Sequence, residues 1–235
     1  SGLTDSPNPK DKRMARQARG GLAGVPHLLM QRVHDGQRLV QDDVDRQRLL
    51  DTLRTAARDH RVAVHAYVLT EQGWWVLATP THSNSLSLMV QAVGRQYVAH
   101  YNRRHARQGS LWASRYKACI MASAQDLLDG MVLIESLAPD GAWSSASHHL
   151  GRCVDPLVAD HAQFWTLGNT PFDRDAAWKR RLEDGLSAQR SQQLRDAVSK
   201  GWAIGLDEDI LRLQQQTDRR LTPGQRGRPP KSANG

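Results

Sequence analysis

Two kinds of chemistry are written into the residue types of this sequence. The first is metal-assisted attack on a phosphate. It needs neutral imidazoles to hold a divalent cation and a hydroxyl to act as nucleophile. His27, His34 and His65 are candidate ligands, and Tyr67, Tyr97, Tyr101 and Tyr116 are candidate nucleophiles. In-line phosphoryl transfer tolerates little misplacement, and these residues are scattered rather than grouped. Tyr97 falls on an apolar helical stripe, and Tyr67 alternates with His65 and Leu69 along a strand, so each also reads as an ordinary structural residue. The two cysteines, Cys119 and Cys153, are too few for a disulfide scaffold or a thiolate metal site.

The second chemistry is phosphate binding. Arg95, Arg103, Arg104, Arg107, Arg115 and Lys117 gather over a short stretch, with Trp112 beside Arg115. Such a run is often a solvated face, but indole and guanidinium together also suit stacking on bases and pairing with phosphates. Near the end of the chain, Arg226-Gly227-Arg228-Pro229 with Lys231 forms an AT-hook-like core. A backbone with little bulk at Gly227 can enter a narrow minor groove, where the two arginines meet concentrated negative potential. A generic basic tail held by phosphates is the plainer reading of the same residues.

The whole chain carries this bias. Thirty-two Lys and Arg against 24 Asp and Glu give a formal charge of +8 over 235 residues. An excess of that size favours polyanions, because each phosphate neutralised releases condensed counterions. No apolar run approaches the roughly 20 residues that span a bilayer, and no signal-peptide core follows the N-terminus, so no membrane partner and a cytoplasmic location are expected.

The elements that must position these residues follow from periodicity. Residues 1–13 are polar and rich in Pro and charge, and read as a disordered leader, with Met14 a candidate natural start. An apolar run from Val25 to Val33 reads as a first strand. Asp42 and Asp43 offer an N-cap to a helix with Val44, Leu50, Leu53 and Ala57 on one stripe, ending near His60. Val62–Leu69 and Gly73–Ala78 read as a hairpin about Thr70-Glu71-Gln72. Leu86, Met89, Val90, Val93 and Tyr97 set out a second helix, Lys117–Met121 a fourth strand, and Ala124 to about Leu137 a third helix. Asp173–Gln216 is helical again, broken at Gly201 and Gly205. The order β-α-β-β-α-β predicts an α+β, ferredoxin-like antiparallel sheet with two helices on one face, followed by a helical extension and a basic tail.

Several segments resemble one family. Leu88–Ala118 (LMQAVGRQYVAHYNRRHARQGSLWASRYKA) is similar to the helix–loop–strand signature of REP-associated tyrosine transposases, relatives of the single-tyrosine insertion-sequence transposases of the HUH superfamily. The resemblance extends to HAYVLT (His65–Thr70), WSSASHHLG (Trp143–Gly151), FWTLGNTPFDRDAAW (Phe164–Trp178), GWAIGLDEDI (Gly201–Ile210) and the RGRPPK tail. It implies a domain over 14–151, an extension over 152–216 and a tail over 217–235.

In that family the strand after the hairpin carries His-hydrophobe-His, two imidazoles on one face that hold the metal. Here the matching stretch is Gly73-Trp74-Trp75, and neither glycine nor indole can replace a neutral imidazole as ligand. The family's nucleophilic tyrosine, in a Tyr-Ile-(His or Glu)-x-Asn-Pro context, aligns with Leu133, keeping Ile134 and Glu135 but not Asn-Pro. The resemblance therefore implies a DNA-binding protein, on duplex or hairpin, that has lost its chemistry and needs no cofactor or metal. A role in regulating transcription and a homodimer are family-level expectations. Two alternatives stand beside it: an active single-strand endonuclease with a rearranged site, and a protein-interaction scaffold using Trp74 and Trp75. Trp75 itself reads either as a plug in an unused cavity or as a platform for an unpaired base.

Overall fold

The computed structural model describes residues 21–138 and 143–223. The chain runs β1 (His27–Arg32), α1 (Asp43–Asp59), β2 (Val62–Thr70), β3 (Gly73–Pro80), α2 (Ser85–Arg104), β4 (Lys117–Ile120) and α3 (Ala124–Glu135). It continues through α4 (Ala146–His149), α5 (Ala162–Trp165), α6 (Pro171–Asp184), α7 (Ala188–Lys200) and α8 (Asp207–Gln214). The sheet order is β2-β3-β1-β4 with every pairing antiparallel, which is the split β-α-β-β-α-β arrangement expected from the sequence.

Local signals place the elements. The Asp42 side chain accepts the Asp45 N–H and caps α1. Ser123 and Asp126 close a reciprocal capping box at α3, and Thr170 and Asp173 do the same at α6, whose first residue is Pro171. The helical stretch expected over Asp173–Gln216 has a further break, at Gly185, so α6 and α7 are separate helices.

The strands read as near-continuous apolar runs because the sheet is covered on both faces. Leu29, Tyr67, Trp74 and Val76 face α1 and α2, against Leu53, Met89, Val93 and Tyr97. Leu28, Val68, Trp75, Leu77 and Cys119 face the other way, into a second core with Met131, Leu133 and Ile134 of α3, Trp178 of α6, and Leu194 and Val198 of α7. The sequence accounted for the first layer; the second is built by α3 and residues 152–216. Arg190 of α7 fastens that layer by reaching Asp126 at 2.5 Å and Asp129 at 2.7 Å on α3. No helix among the described residues is long and apolar enough to cross a membrane.

Candidate nucleic-acid interface

Gly73, Trp75 and Leu133 stand at the three positions where the resemblance sets a metal-phosphate site. Gly73 opens β3 opposite Arg32, and a Cβ there would stand 2.2 Å from the Gln31 carbonyl oxygen and 3.0 Å from the Arg32 Cα. The backbone leaves no room for any side chain. Trp75 is 8% exposed and lies on the α7 side of the sheet, with the Arg195 guanidinium 5.9 Å from its ring centroid. Together with Met30, Leu137, Gln192 and Ser199 it lines an open cleft of about 480 Å³. Leu133 is buried among the apolar residues of α3, and Trp74 is buried under α1 and α2. Neither tryptophan is free to form an exposed interface.

His27, His65 and the four tyrosines are each held by hydrogen bonds. His65 sits at the bulge in β2, its Nδ1 2.7 Å from the Ala159 carbonyl and its Nε2 2.8 Å from the Thr79 hydroxyl. His27 binds the Val25 carbonyl through Nδ1 and accepts the Leu22 N–H at Nε2. Burial pushes each of these imidazoles down to about 4, and each keeps one ring nitrogen as donor and one as acceptor. His34 is exposed at another end of the sheet. All four tyrosines are buried. Tyr67 donates to Asp155, Tyr97 to the Leu39 carbonyl and Tyr101 to the Arg38 carbonyl, while Tyr116 pairs with Ser87. Burial raises the Tyr67 and Tyr97 hydroxyls well above the usual phenol range.

The basic residues fall on two sides of the sheet and at the end of α2. Arg95, Trp112 and Arg115 come together around a cleft of about 410 Å³ between α2 and the loop before β4, with Gln31, Val90 and Tyr116 as further lining. Both arginines are exposed, and among the described residues neither guanidinium is in an ion pair. Lys117 belongs to the opposite side of the sheet, where it lies opposite Met30 and reaches the Ser199 hydroxyl at 3.3 Å. Gln31 lines both clefts, so the open end of β1 beyond β4 joins the Trp75 side to the Arg95 side.

Arg104 stands outside both groups. It pairs with Asp42 at 2.6 Å and with the fully buried Asp45 at 2.7 Å, clamping the end of α2 to the start of α1. That hydrogen bond holds the Asp42 carboxyl down at about 2. Arg107 is turned inward, donating to Asn102 and lying over the Tyr101 ring, and Arg103 is exposed beside it. Arg226, Gly227, Arg228 and Lys231 lie outside the described residues, as does the leader over 1–13.

One buried polar group escaped sequence reasoning. Glu135 of α3 has no exposed side-chain surface and accepts from Ser145 at 2.5 Å, His149 Nδ1 at 2.6 Å and Trp178 Nε1 at 2.8 Å. Beside it His148, His149 and Asp160 bring their polar atoms within 4.8 Å of one another. The Asp155 N–H donates to His148 Nδ1, so the neutral ring carries its proton on Nε2, 3.2 Å from Asp160 Oδ1. A cation bound there would have to displace that proton, and the group acts as a clasp between α4 and the following loop. The adjacent His148-His149 pair was the available signal, but its hydrogen-bond partners lie 14 residues upstream at Glu135 and 12 downstream at Asp160.

No protein-family model matches the chain, and no curated protein matches it. Solved structures do match. Among them is a REP-associated tyrosine transposase bound to a REP hairpin, 12% identical, with a TM-score of 0.46, covering 68% of this chain and 96% of that one.

Proposed function

We propose that this chain binds nucleic acid through the Arg95–Trp112–Arg115 side of its sheet and does not cut it. The observation that carries the reading is the cleft itself. It sets two exposed guanidinia, each without an ion pair among the described residues, beside a half-buried indole. Free guanidinia suit phosphate oxygens and the indole suits a base, while the overall charge of +8 supplies long-range attraction. The Arg226–Arg228 tail adds a second contact to A·T-rich duplex in this account.

Loss of cutting is supported by the absence of space at Gly73, by Leu133 in the core, and by four buried tyrosines. A protein of transposase descent that grips DNA without chemistry would serve as a transcriptional regulator at a palindromic or hairpin site. The test is selection of bound fragments from genomic DNA followed by sequencing. Enrichment of one operator or hairpin is expected. A bound fraction indistinguishable from input would overturn the reading.

A further inference from the structure

The cleft between α2 and the loop before β4 contains two anomalies. Gln31 is 6% exposed, and its Oε1 has no hydrogen-bond partner. Trp112 Nε1 is likewise buried without an acceptor, where it packs across Gly94: a Cβ on that glycine would lie 3.3 Å from the indole nitrogen. Buried polar groups are almost always paired, so an acceptor and a donor both left open at one cleft mark a place where something else completes them. Gln31 is also an odd choice on packing grounds. It lies opposite Trp74, whose Nε1 is likewise without a partner, and points to the same side as Leu29 and Val33.

We infer that this cleft takes one unpaired nucleobase of a bound single strand. This rests on the nucleic-acid reading above and adds the form of the ligand. A base offers what the cleft lacks: a planar apolar face for the walls of Trp112 and Val90, and an edge with both donors and acceptors for Gln31 and the indole N–H. The cleft volume of about 410 Å³ falls within the range of small-ligand pockets, roughly 300–1,000 Å³. Arg95 and Arg115 at the mouth hold the phosphates on either side of the inserted nucleotide. A base kept in a duplex cannot enter, because its edge is already paired. The pocket therefore selects unpaired strand over duplex, while the arginines alone serve both.

The test compares the full chain with Gln31→Leu and Trp112→Phe, using a labelled pool of random 20-nucleotide single strands and the same pool as duplex. The wild type binds the single strands more tightly. Each variant weakens single-strand binding about tenfold, the worth of one good hydrogen bond, and Gln31→Leu leaves duplex binding within twofold. Gln31→Leu also raises Tm by roughly 2–4 °C, because it removes an orphaned acceptor from the free protein. A purely structural glutamine would lower Tm instead. If both pools bind equally and neither variant separates them, the base pocket is overturned while nucleic-acid binding stands. If the wild type binds neither pool, both readings fall. Displacement of the strands by millimolar deoxynucleoside monophosphates would assign the cleft to a free nucleotide and overturn the polynucleotide.

Discussion

Gln31 and Gly73 share one point of space: the carbonyl oxygen of the first lies 2.2 Å from where a Cβ on the second would stand. Replacing Gly73 by histidine therefore forces β1 and β3 apart at the point where the hairpin begins. Gly73→His should cost roughly 2–4 kcal/mol, combining backbone strain and overpacking, in a denaturant titration. The double change Gly73→His, Trp75→His should gain no tight Mn²⁺ binding. Wild-type stability together with stoichiometric Mn²⁺ uptake would contradict this account of the strand.

Stability should fall on mild acidification because of His27 and His65. Both are buried, both use their rings in the neutral form, and both are pushed from about 6.5 to about 4. Between those values the unfolded chain takes up protons that the fold does not, so the stabilisation is complete above the unfolded value and lost as pH falls to 4. The loss approaches about 3 kcal/mol for each imidazole. Urea unfolding from pH 7 to pH 4 should record it, with a shallower fall in His65→Gln. A flat profile over that range would be inconsistent with neutral buried rings.

Glu135 of α3 ties three helices together, since Ser145 and His149 stand at the two ends of α4 and Trp178 lies on α6. Glu135→Ala leaves three buried donors unpaired and should cost roughly 3–5 kcal/mol. Trp178→Phe, which removes one donor and keeps most of the apolar volume, should cost less. Equal effects would mean that packing, rather than the carboxylate, holds the second layer.

Arginines that look alike in the sequence should separate cleanly in binding assays. Arg95→Ala and Arg115→Ala should each reduce the slope of log K against log salt by about 1, without changing Tm. Arg104→Ala should lower Tm, because it leaves the buried Asp45 short of a partner, and should leave the salt slope unchanged. A loss of slope in Arg104→Ala equal to that in Arg95→Ala would place the interface elsewhere.

These contrasts show where sequence reading reached its limit. Strand and helix order followed from local periodicity, and Asp42 was legible as the cap of α1. What the sequence did not expose depends on contacts between distant positions. Arg104 is claimed by Asp42 and Asp45 some 60 residues earlier, and Glu135 by a tryptophan 43 residues later. Gln31 was visible as a polar residue in a largely apolar strand, but its open acceptor appears only when the strand is packed. The resemblance marked Gly73 as a missing ligand; the register of β1 against β3 adds that no ligand fits.

The most direct test of binding without cutting uses the unmodified chain with hairpin DNA labelled at either end, in Mg²⁺ or Mn²⁺. Salt-dependent retention of the hairpin is expected, with no nick and no covalent adduct, because all four tyrosines are buried and hydrogen-bonded and no metal-binding pair stands on β3. A metal-dependent protein–DNA adduct that disappears on mutation of one of the four tyrosines would contradict it, as would failure to retain any hairpin at low salt.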